Sequence, residues 1–301
     1  MRETSTVIWL LIISLLVSGA TQAGSLDLTY NNHGLSFGNA PIVHGLRINV
    51  VDRNVEEVNG INLTFWTPRG KDPNPLFQMN GVAVGLVAPV MHRLNGVGIG
   101  GLGVGADEIT GLAIGGLGAG ADEVTGVAIG GLGAGVDAIT GIGVGGLGIG
   151  GDNLTGLFMG GLGVGADAIT GVGVGGLGIG GDNLTGLLVG GLGVGGDDLT
   201  GVFLGGLGVG GDDLSGLFIG GLGVGGDRLS GVTVGGFMIR ADELRGVHIA
   251  SWVHAKRESH GLSVALFNYS RELHGLQLGV LNWAGNQEGL LRLLPLVNYH
   301  R

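Results

Sequence analysis

Apolar residues recur along this chain in a pattern that repeats every fifteen residues. Steps of two within the pattern are typical of extended strand, in which alternate side chains point to one face. Steps of three indicate corners, and Gly115-Gly116 and Asp122-Glu123, residue types that favour turns, fall at two of them. The pattern therefore predicts a coil of short strands joined by turns, with its apolar side chains facing one interior. In one unit these side chains are Leu112, Ile114, Leu117, Ala119, Ala121 and Val124.

A glycine, here called the marker glycine, stands at the start of each unit. From Gly81 to Gly261 the marker glycines follow at twelve consecutive intervals of fifteen residues, and the next two intervals are fourteen. A longer interval before Gly81 contains the proline-rich stretch 68–75, which predicts an inserted loop. A fixed repeat length with insertions confined to one place is typical of stacked arrays. The sequence predicts an all-β fold, a β-solenoid of stacked fifteen-residue coils with terminal caps.

Side chains at one position of successive coils form a column, which is named here by its distance after the marker glycine. Columns one, three, six and thirteen are aliphatic in nearly every unit, and the sequence predicts that all four point inward. Column six is a leucine ladder from Leu102 to Leu222, and it becomes aromatic at Phe237, Trp252 and Phe267.

Column two is then expected to point outward, because side chains alternate along a strand. It is polar near both ends of the array, as at Arg47 and His248, and mostly apolar in the middle. An outward apolar stripe predicts a contact surface, through which the chain would bind an unknown protein or surface partner or associate with itself. The alternative is that these are scattered exposed apolar side chains without a role. The candidate interface residues are Phe158, Leu188, Phe203 and Phe218.

An antiparallel outer-membrane β-barrel, with one strand and one turn per unit, is the alternative fold. It is favoured by the near-identity of residues 141–170 and 171–200, which is consistent with a copied hairpin. Against it, every turn has the same length, Trp and Tyr are missing between Gly96 and Gly236, and one face of the repeat is nearly all glycine. Membrane contact is expected only under this alternative.

The N-terminal residues are typical of a secretory signal. The apolar run from Val7 to Val17 is too short to span a bilayer comfortably, and the small residues Thr21 and Ala23 predict cleavage before Gly24. We therefore expect export to the periplasm, the outer membrane or the cell surface. The predicted organisation is a signal peptide at 1–23, an N-terminal cap at 24–44, a glycine-rich repeat solenoid at 45–245, and C-terminal coils with a cap at 246–301.

Composition narrows the functional classes. The chain has 71 glycines among 301 residues and no cysteine, which excludes disulfides and thiolate metal sites. Its formal charge of −10 argues against nucleic acid and anionic membrane surfaces as partners. No nucleophile, base and orienting acid can be grouped from the sequence. We therefore predict no catalytic residues, no cofactor and no enzymatic activity.

Two columns have residue types that bind metals. Column eleven is aspartate in ten successive units from Asp107 to Asp242, which would suit either calcium sites or a turn in which each carboxylate accepts a backbone N–H two residues on. Column twelve is not reliably acidic, so the turn is favoured. His260 and His274 share one column and could touch, but polar capping is favoured over a metal clip. The sequence predicts no metal site.

The repeat also resembles known sequences. The unit GLAIGGL at 111–117 and the closing segments GLSVALFNY at 261–269 and GLQLGVLNW at 275–283 are similar to the tandem surface-repeat families of bacterial exported proteins. The resemblance covers residues 45–301 and implies a bacterial cell-envelope setting, without an assigned activity. It supports the expectation of a non-catalytic exported cell-envelope or surface protein that acts as a structural or interaction scaffold.

Overall fold

The computed structural model describes residues 24–68 and 75–301 of the chain. The predicted signal peptide at 1–23 and most of the predicted loop at 68–75 lie outside the described residues. The described chain is all-β apart from one short 3-10 helix. It divides into two compact units, Met1–Gly145 and Gly146–Arg301, here unit 1 and unit 2.

Unit 1 begins with an antiparallel hairpin and continues as parallel coils. The hairpin turns at Asn31 and Asn32, whose φ angles of 49° and 64° are those of a tight primed turn. From the second strand to the ninth, each strand in unit 1 pairs in parallel with the next, and marker glycine pairs with marker glycine. The strands are β1 Ser25–Tyr30, β2 His33–Gly38, β3 Ile42–Val51, β4 Glu57–Trp66, β5 Gln78–Gly85, β6 Val90–Gly100, β7 Gly103–Gly115, β8 Gly118–Gly130 and β9 Gly133–Gly145.

Unit 2 consists of parallel coils that end in an antiparallel strand. Its last strand pairs antiparallel with the one before it, through Gly275↔His300 and Leu278↔Val297. The elements are β10 Gly148–Gly160, β11 Gly163–Gly175, β12 Gly178–Gly180, β13 Asn183–Gly190, β14 Gly193–Gly195, β15 Asp198–Gly205, β16 Gly208–Gly210, β17 Asp213–Gly220, β18 Gly223–Gly225, β19 Arg228–Gly235, β20 Met238–Ile249, β21 Trp252–Val264, β22 Phe267–Ala284, the 3-10 helix Gly289–Arg292 and β23 Leu293–His300.

The repeats pair in parallel at an offset of one coil, as in Thr185↔Thr200 and Gly186↔Gly201. This register is that of a solenoid, in which each coil stacks on the one before it. The β-solenoid prediction is confirmed, and the antiparallel alternative is wrong. Within the described residues, no helix combines the length and the apolar character that a membrane crossing requires.

One coil of unit 2 shows how fifteen residues close a turn of the solenoid. The long strand β15 bends at Gly206-Leu207 into the short strand β16, and a second bend at Gly211-Asp212 leads to β17. The bends stack through backbone hydrogen bonds from one coil to the next. Leu207 N–H donates to Leu192 O over 2.6 Å, and Asp212 N–H donates to Asp197 O over 2.9 Å.

Glycine is required where successive coils come closest. Gly201 has a φ of 133°, and a Cβ there would lie 2.2 Å from the carbonyl oxygen of Gly186. A Cβ at Gly206, in the first bend, would lie 1.9 Å from the carbonyl oxygen of Gly191. Real Cβ atoms do not approach oxygen so closely, so a side chain at either position would push the coils apart. The repetition of glycine in these columns follows from the stacking.

From the coil of Gly96 to the coil of Gly231, columns two, eight and thirteen fill the interior. In the coil of Gly201 these are Phe203, Val209 and Leu214, whose exposed fractions are 0%, 3% and 2%. The prediction that column thirteen points inward is confirmed.

Columns one, three and six point outward, so their predicted inward orientation is wrong. The step of three from column thirteen to column one was interpreted as a corner, but β15 runs straight through the marker glycine. Alternation along this eight-residue strand then places Leu199 and Phe203 inside and Val202 and Leu204 outside.

Candidate interaction surfaces

The four candidate interface residues from the sequence belong to the core. Phe158, Leu188, Phe203 and Phe218 are each 0% exposed, and the rings of Phe203 and Phe218 stack with centroids 5.5 Å apart. The expectation that they form an outward stripe is therefore wrong. The reason is the alternation through the marker glycine, which turns column two inward.

The same alternation brings an aliphatic sheet surface to the outside of unit 2. We call it the aliphatic face, and it consists of columns one and three in nine successive coils. Every side chain in it is Val, Leu, Ile or Met, and none is buried. Met159 and Val174 are each 43% exposed, and Leu187 is 40% exposed. Its residues are Leu157, Met159, Val172, Val174, Leu187, Val189, Val202, Leu204, Leu217, Ile219, Val232, Val234, Val247, Ile249, Leu262, Val264, Leu276 and Leu278.

A row of exposed side chains, the leucine ridge, borders the aliphatic face at the first bend. In unit 2 it comprises column six from Leu147 to Leu222, and these leucines are half exposed or more. The row continues with Phe237, Trp252 and Phe267, which are 60%, 42% and 48% exposed. Monomeric soluble proteins rarely expose contiguous apolar surface on this scale, so the two features together are the candidate contact surface of unit 2.

The outward side chains on the other side of the marker glycine are polar. In β13 and β15, Thr185 and Thr200 are exposed, whereas Leu187 and Val202 follow two residues later on the aliphatic face. One strand therefore carries a polar half and an aliphatic half, divided by the marker glycine. The sequence pattern does not reveal this division, because its steps of three place columns one and three in the interior.

The aspartate column lies at the second bend of unit 2, at the surface. Backbone bonds between coils hold this bend: Asp197 N–H donates to Asp182 O over 3.0 Å, and Asp198 N–H donates to the same oxygen over 2.8 Å. The aspartate column lines a shallow cavity of about 390 Å³ together with side chains of column twelve and Arg257. Its lining residues are Asp197, Asp198, Asp212, Asp213, Asp227, Arg228, Asp242, Glu243 and Arg257. Within the described residues, no cluster of three or more His, Asp or Glu side chains is placed to hold a metal ion.

Basic side chains pair with the acidic columns from one coil to the next. Arg228 donates two hydrogen bonds to the carboxylate of Asp213, and these bonds hold the pKa of Asp213 below its usual value. Lys256 Nζ lies 2.5 Å from Asp242 Oδ1, and this hydrogen bond lowers the pKa of Asp242. Both pairs are largely solvated, so they order the surface more than they stabilise the fold.

Aromatic rings stack along the last coils of unit 2. The rings of His260 and His274 are 4.6 Å apart and tilted by 15°, so the predicted contact between them is present. Tyr269 and Trp283 stack at 4.4 Å with an angle of 1°. Together with Trp252, Phe267 and three neighbours, these two rings line an open apolar cavity of about 410 Å³.

Column two becomes polar in the same coils while remaining inside. Thr233 and His248 are fully buried, and Ser263 and Gln277 are 2% and 1% exposed. Neither ring nitrogen of His248 has a hydrogen-bond partner among the described residues, and burial lowers the pKa of His248 to about 4. The imidazole is therefore neutral near pH 7, because burial removes the water that would stabilise the charged ring.

No family model, curated protein or solved structure matches this chain. The sequence resemblance to bacterial surface-repeat proteins stays a prediction.

Proposed function

We propose that this chain is a non-catalytic, exported cell-envelope or surface protein that acts as an interaction scaffold. The observation that carries the proposal is the aliphatic face of unit 2. A solvated sheet surface with eighteen aliphatic side chains and no charge is unfavourable unless another molecule covers it. The bacterial cell-envelope setting comes from the sequence resemblance, and export comes from the signal-like residues 1–23.

A scaffold role also agrees with how the polar groups are arranged. The acidic side chains of unit 2 stand in surface columns, and some of them pair with basic side chains of adjacent coils, as Asp213 does with Arg228 and Asp242 with Lys256. The polar side chains of column two in the last coils, such as His248 and Gln277, lie in the interior of the coils. Catalysis needs a nucleophile or base held beside a reacting group, and the solvation of the acidic columns and the enclosure of column two support a non-catalytic role.

Export is tested by fractionating cells that produce the full chain and measuring the mass of the product. We expect the chain outside the cytoplasm and lacking residues 1–23. A full-length product confined to the cytoplasm would contradict the proposed location, whatever the face contacts.

Interaction is tested by placing a photoreactive residue at Leu187 in the intact cell. Leu187 lies on the aliphatic face, and Thr185 lies two residues earlier on the polar half of the same strand, which makes Thr185 a matched control. We expect a defined cross-linked product from Leu187, identified by mass spectrometry, and none of that product from Thr185. Equal labelling at both positions, or no product at either, would remove the scaffold proposal.

A further inference from the structure

We propose that the aliphatic face of unit 2 is the contact between two copies of this chain, related by a two-fold axis. The inference rests on the proposed function, because it names the partner that covers the face. In such a contact the same patch serves both copies, so that one surface must complement itself. Three properties of the face favour a second copy: its extent, its lack of charge and its repeat.

The face has the extent that a stable dimer requires. Nine coils stacked about 4.8 Å apart, and five residue steps of about 3.3 Å from column one to the leucine ridge, give about 700 Å² per copy. A standard specific interface buries roughly 800 Å² per partner. The face is thus large enough for a dimer, whereas most crystal-type contacts are much smaller.

The distribution of charge favours this face over the rest of unit 2. The chain has a formal charge of −10, so two copies repel one another unless their acidic groups stay apart. Asp182 lies six residues before Leu188 and Asp197 lies nine after it, so the aspartate bend is close to half a coil from the middle of the aliphatic segment. Contact through the aliphatic face therefore keeps the aspartate column of each copy far from the interface and in water.

The repeat favours a second copy as the partner, because its surface has the same coil spacing as this face. Sheets pack face to face through interlocking aliphatic side chains in many proteins. Two identical sheets also share one coil spacing, so each Val, Leu or Ile meets equivalent neighbours along all nine coils. A partner with another periodicity would fit some coils and leave others exposed.

The first test measures the mass of the full chain, purified as the cell produces it, by sedimentation equilibrium over a range of concentrations. We expect a dimer. Leu187→Asp with Val202→Asp places two charges on the face and should weaken the dimer at least 100-fold. The matched control, Thr185→Asp with Thr200→Asp, adds the same charges to the same strands and should leave it intact. A dimer that survives the face variant would overturn the inference.

Cysteine cross-linking keeps the inference testable if the charged variant fails to fold. The chain has no cysteine, so a single introduced thiol can pair only with a second copy. Leu217 stands in the middle coil of the nine, close to the expected axis, and Ser215 lies two residues earlier in β17. Leu217→Cys should form an intermolecular disulfide under mild oxidation, and Ser215→Cys should not. The reverse pattern would contradict a contact through this face.

Salt dependence separates an apolar contact from an electrostatic one. Because both copies are acidic, added NaCl should leave the dimer unchanged or strengthen it by screening their repulsion. A dimer that dissociates as salt rises would overturn the inference.

The outcome also distinguishes this inference from the proposed function. A purified chain that is monomeric at every concentration, while Leu187 still cross-links to a different protein in the cell, would overturn the dimer and keep the scaffold. A monomer without any specific cross-link would remove both.

Discussion

The two units bury polar side chains in the same column, but they stabilise them differently. In unit 1, Arg47 is fully buried in column two and forms an ion pair with Asp52. Its guanidinium also donates to Asn62 Oδ1 over 2.9 Å and to Asn39 Oδ1 over 3.0 Å. In unit 2, His248 occupies the same column and both its ring nitrogens lack a partner among the described residues.

The difference follows from the chemistry of the two side chains. Arginine stays charged at any ordinary pH, so its burial requires an opposite charge and several acceptors around it. Histidine can enter the interior as a neutral ring, and the depressed pKa of His248 is the consequence. In the middle coils of unit 2 the same column holds Phe203 and Phe218. These apolar rings need neither a buried counter-charge nor a shifted pKa.

The largest expected effect comes from charging that apolar middle. Phe203→Asp with Phe218→Asp would bury two unpaired carboxylates in adjacent coils, and we expect unit 2 to lose its folded structure. Circular dichroism and denaturant titration of the full chain measure this. Thr185→Asp with Thr200→Asp, on the polar half of the same strands, should unfold like wild type. A double phenylalanine variant that also unfolds like wild type would contradict the inward orientation of column two.

Breaking the buried ion pair should be the next largest effect. Arg47→Met leaves the carboxylate of Asp52 buried without its cation, and the free energy of unfolding should fall by about 3–5 kcal/mol. Urea unfolding monitored in unit 1 measures the change. Arg47→Met combined with Asp52→Asn removes both charges and should recover most of the loss. If the double variant were less stable than the single one, the account of Arg47 as a charge in need of a partner would be wrong.

Two glycines of unit 2 provide a matched test of coil stacking. Gly201→Ala would force a positive φ on alanine and a 2.2 Å approach to Gly186 O, so we expect a loss of about 3 kcal/mol in unfolding free energy. A Cβ at Gly195 would lie 3.8 Å from Gly210 O, an ordinary contact. Gly195→Ala should therefore change the unfolding free energy by less than about 1 kcal/mol. Equal losses from both changes would show that the close approach at Gly201 is not what requires glycine.

The pH dependence of His248 should give the smallest of the four effects. Its pKa is about 4 in the folded chain and near 6.5 when unfolded, so the unfolded state binds more protons between these values. Stability should then fall as pH decreases from 6.5 to 4, by up to about 3 kcal/mol. Chemical unfolding at several pH values measures this slope.

The matched control for this slope is His248→Leu. Leucine already occupies the same column at Leu188 in unit 2. Its stability should depend less on pH in that window. The carboxylates of Asp213 and Asp242 also have depressed pKa values and lose their contribution at still lower pH. Subtracting the variant from wild type isolates the histidine, and a difference that is flat between pH 6.5 and 4 would contradict its depressed pKa.

The fold could be predicted because its signal is repeated. The interval between marker glycines predicted the coil length, and the indel between Gly60 and Gly81 predicted where one coil is longer. The orientation of columns one, two, three and six could not be predicted in the same way. A step of three residues fits a corner or a strand that continues past a glycine, and the step from Leu199 to Val202 is the second kind.

The length of the coil nevertheless indicates how many columns can point inward. Fifteen residues enclose a narrow interior, which three columns such as Phe203, Val209 and Leu214 already fill. Columns one, three and six would not fit inside as well, so some aliphatic columns had to lie outside. The hydrophobic pattern alone does not include this volume limit. It therefore predicts the interface in column two, whereas columns one and three form the exposed face.

By itself the sequence determined the repeat, the extended strands, the bends at the Gly-Gly and Asp positions, and the marker glycine column, because these depend on local backbone geometry repeated many times. Only the tertiary structure decided which apolar columns fill the interior and which form the aliphatic face. That choice depends on alternation through the marker glycine and on the small volume inside a coil. Both are properties of the closed and stacked coil rather than of any single residue.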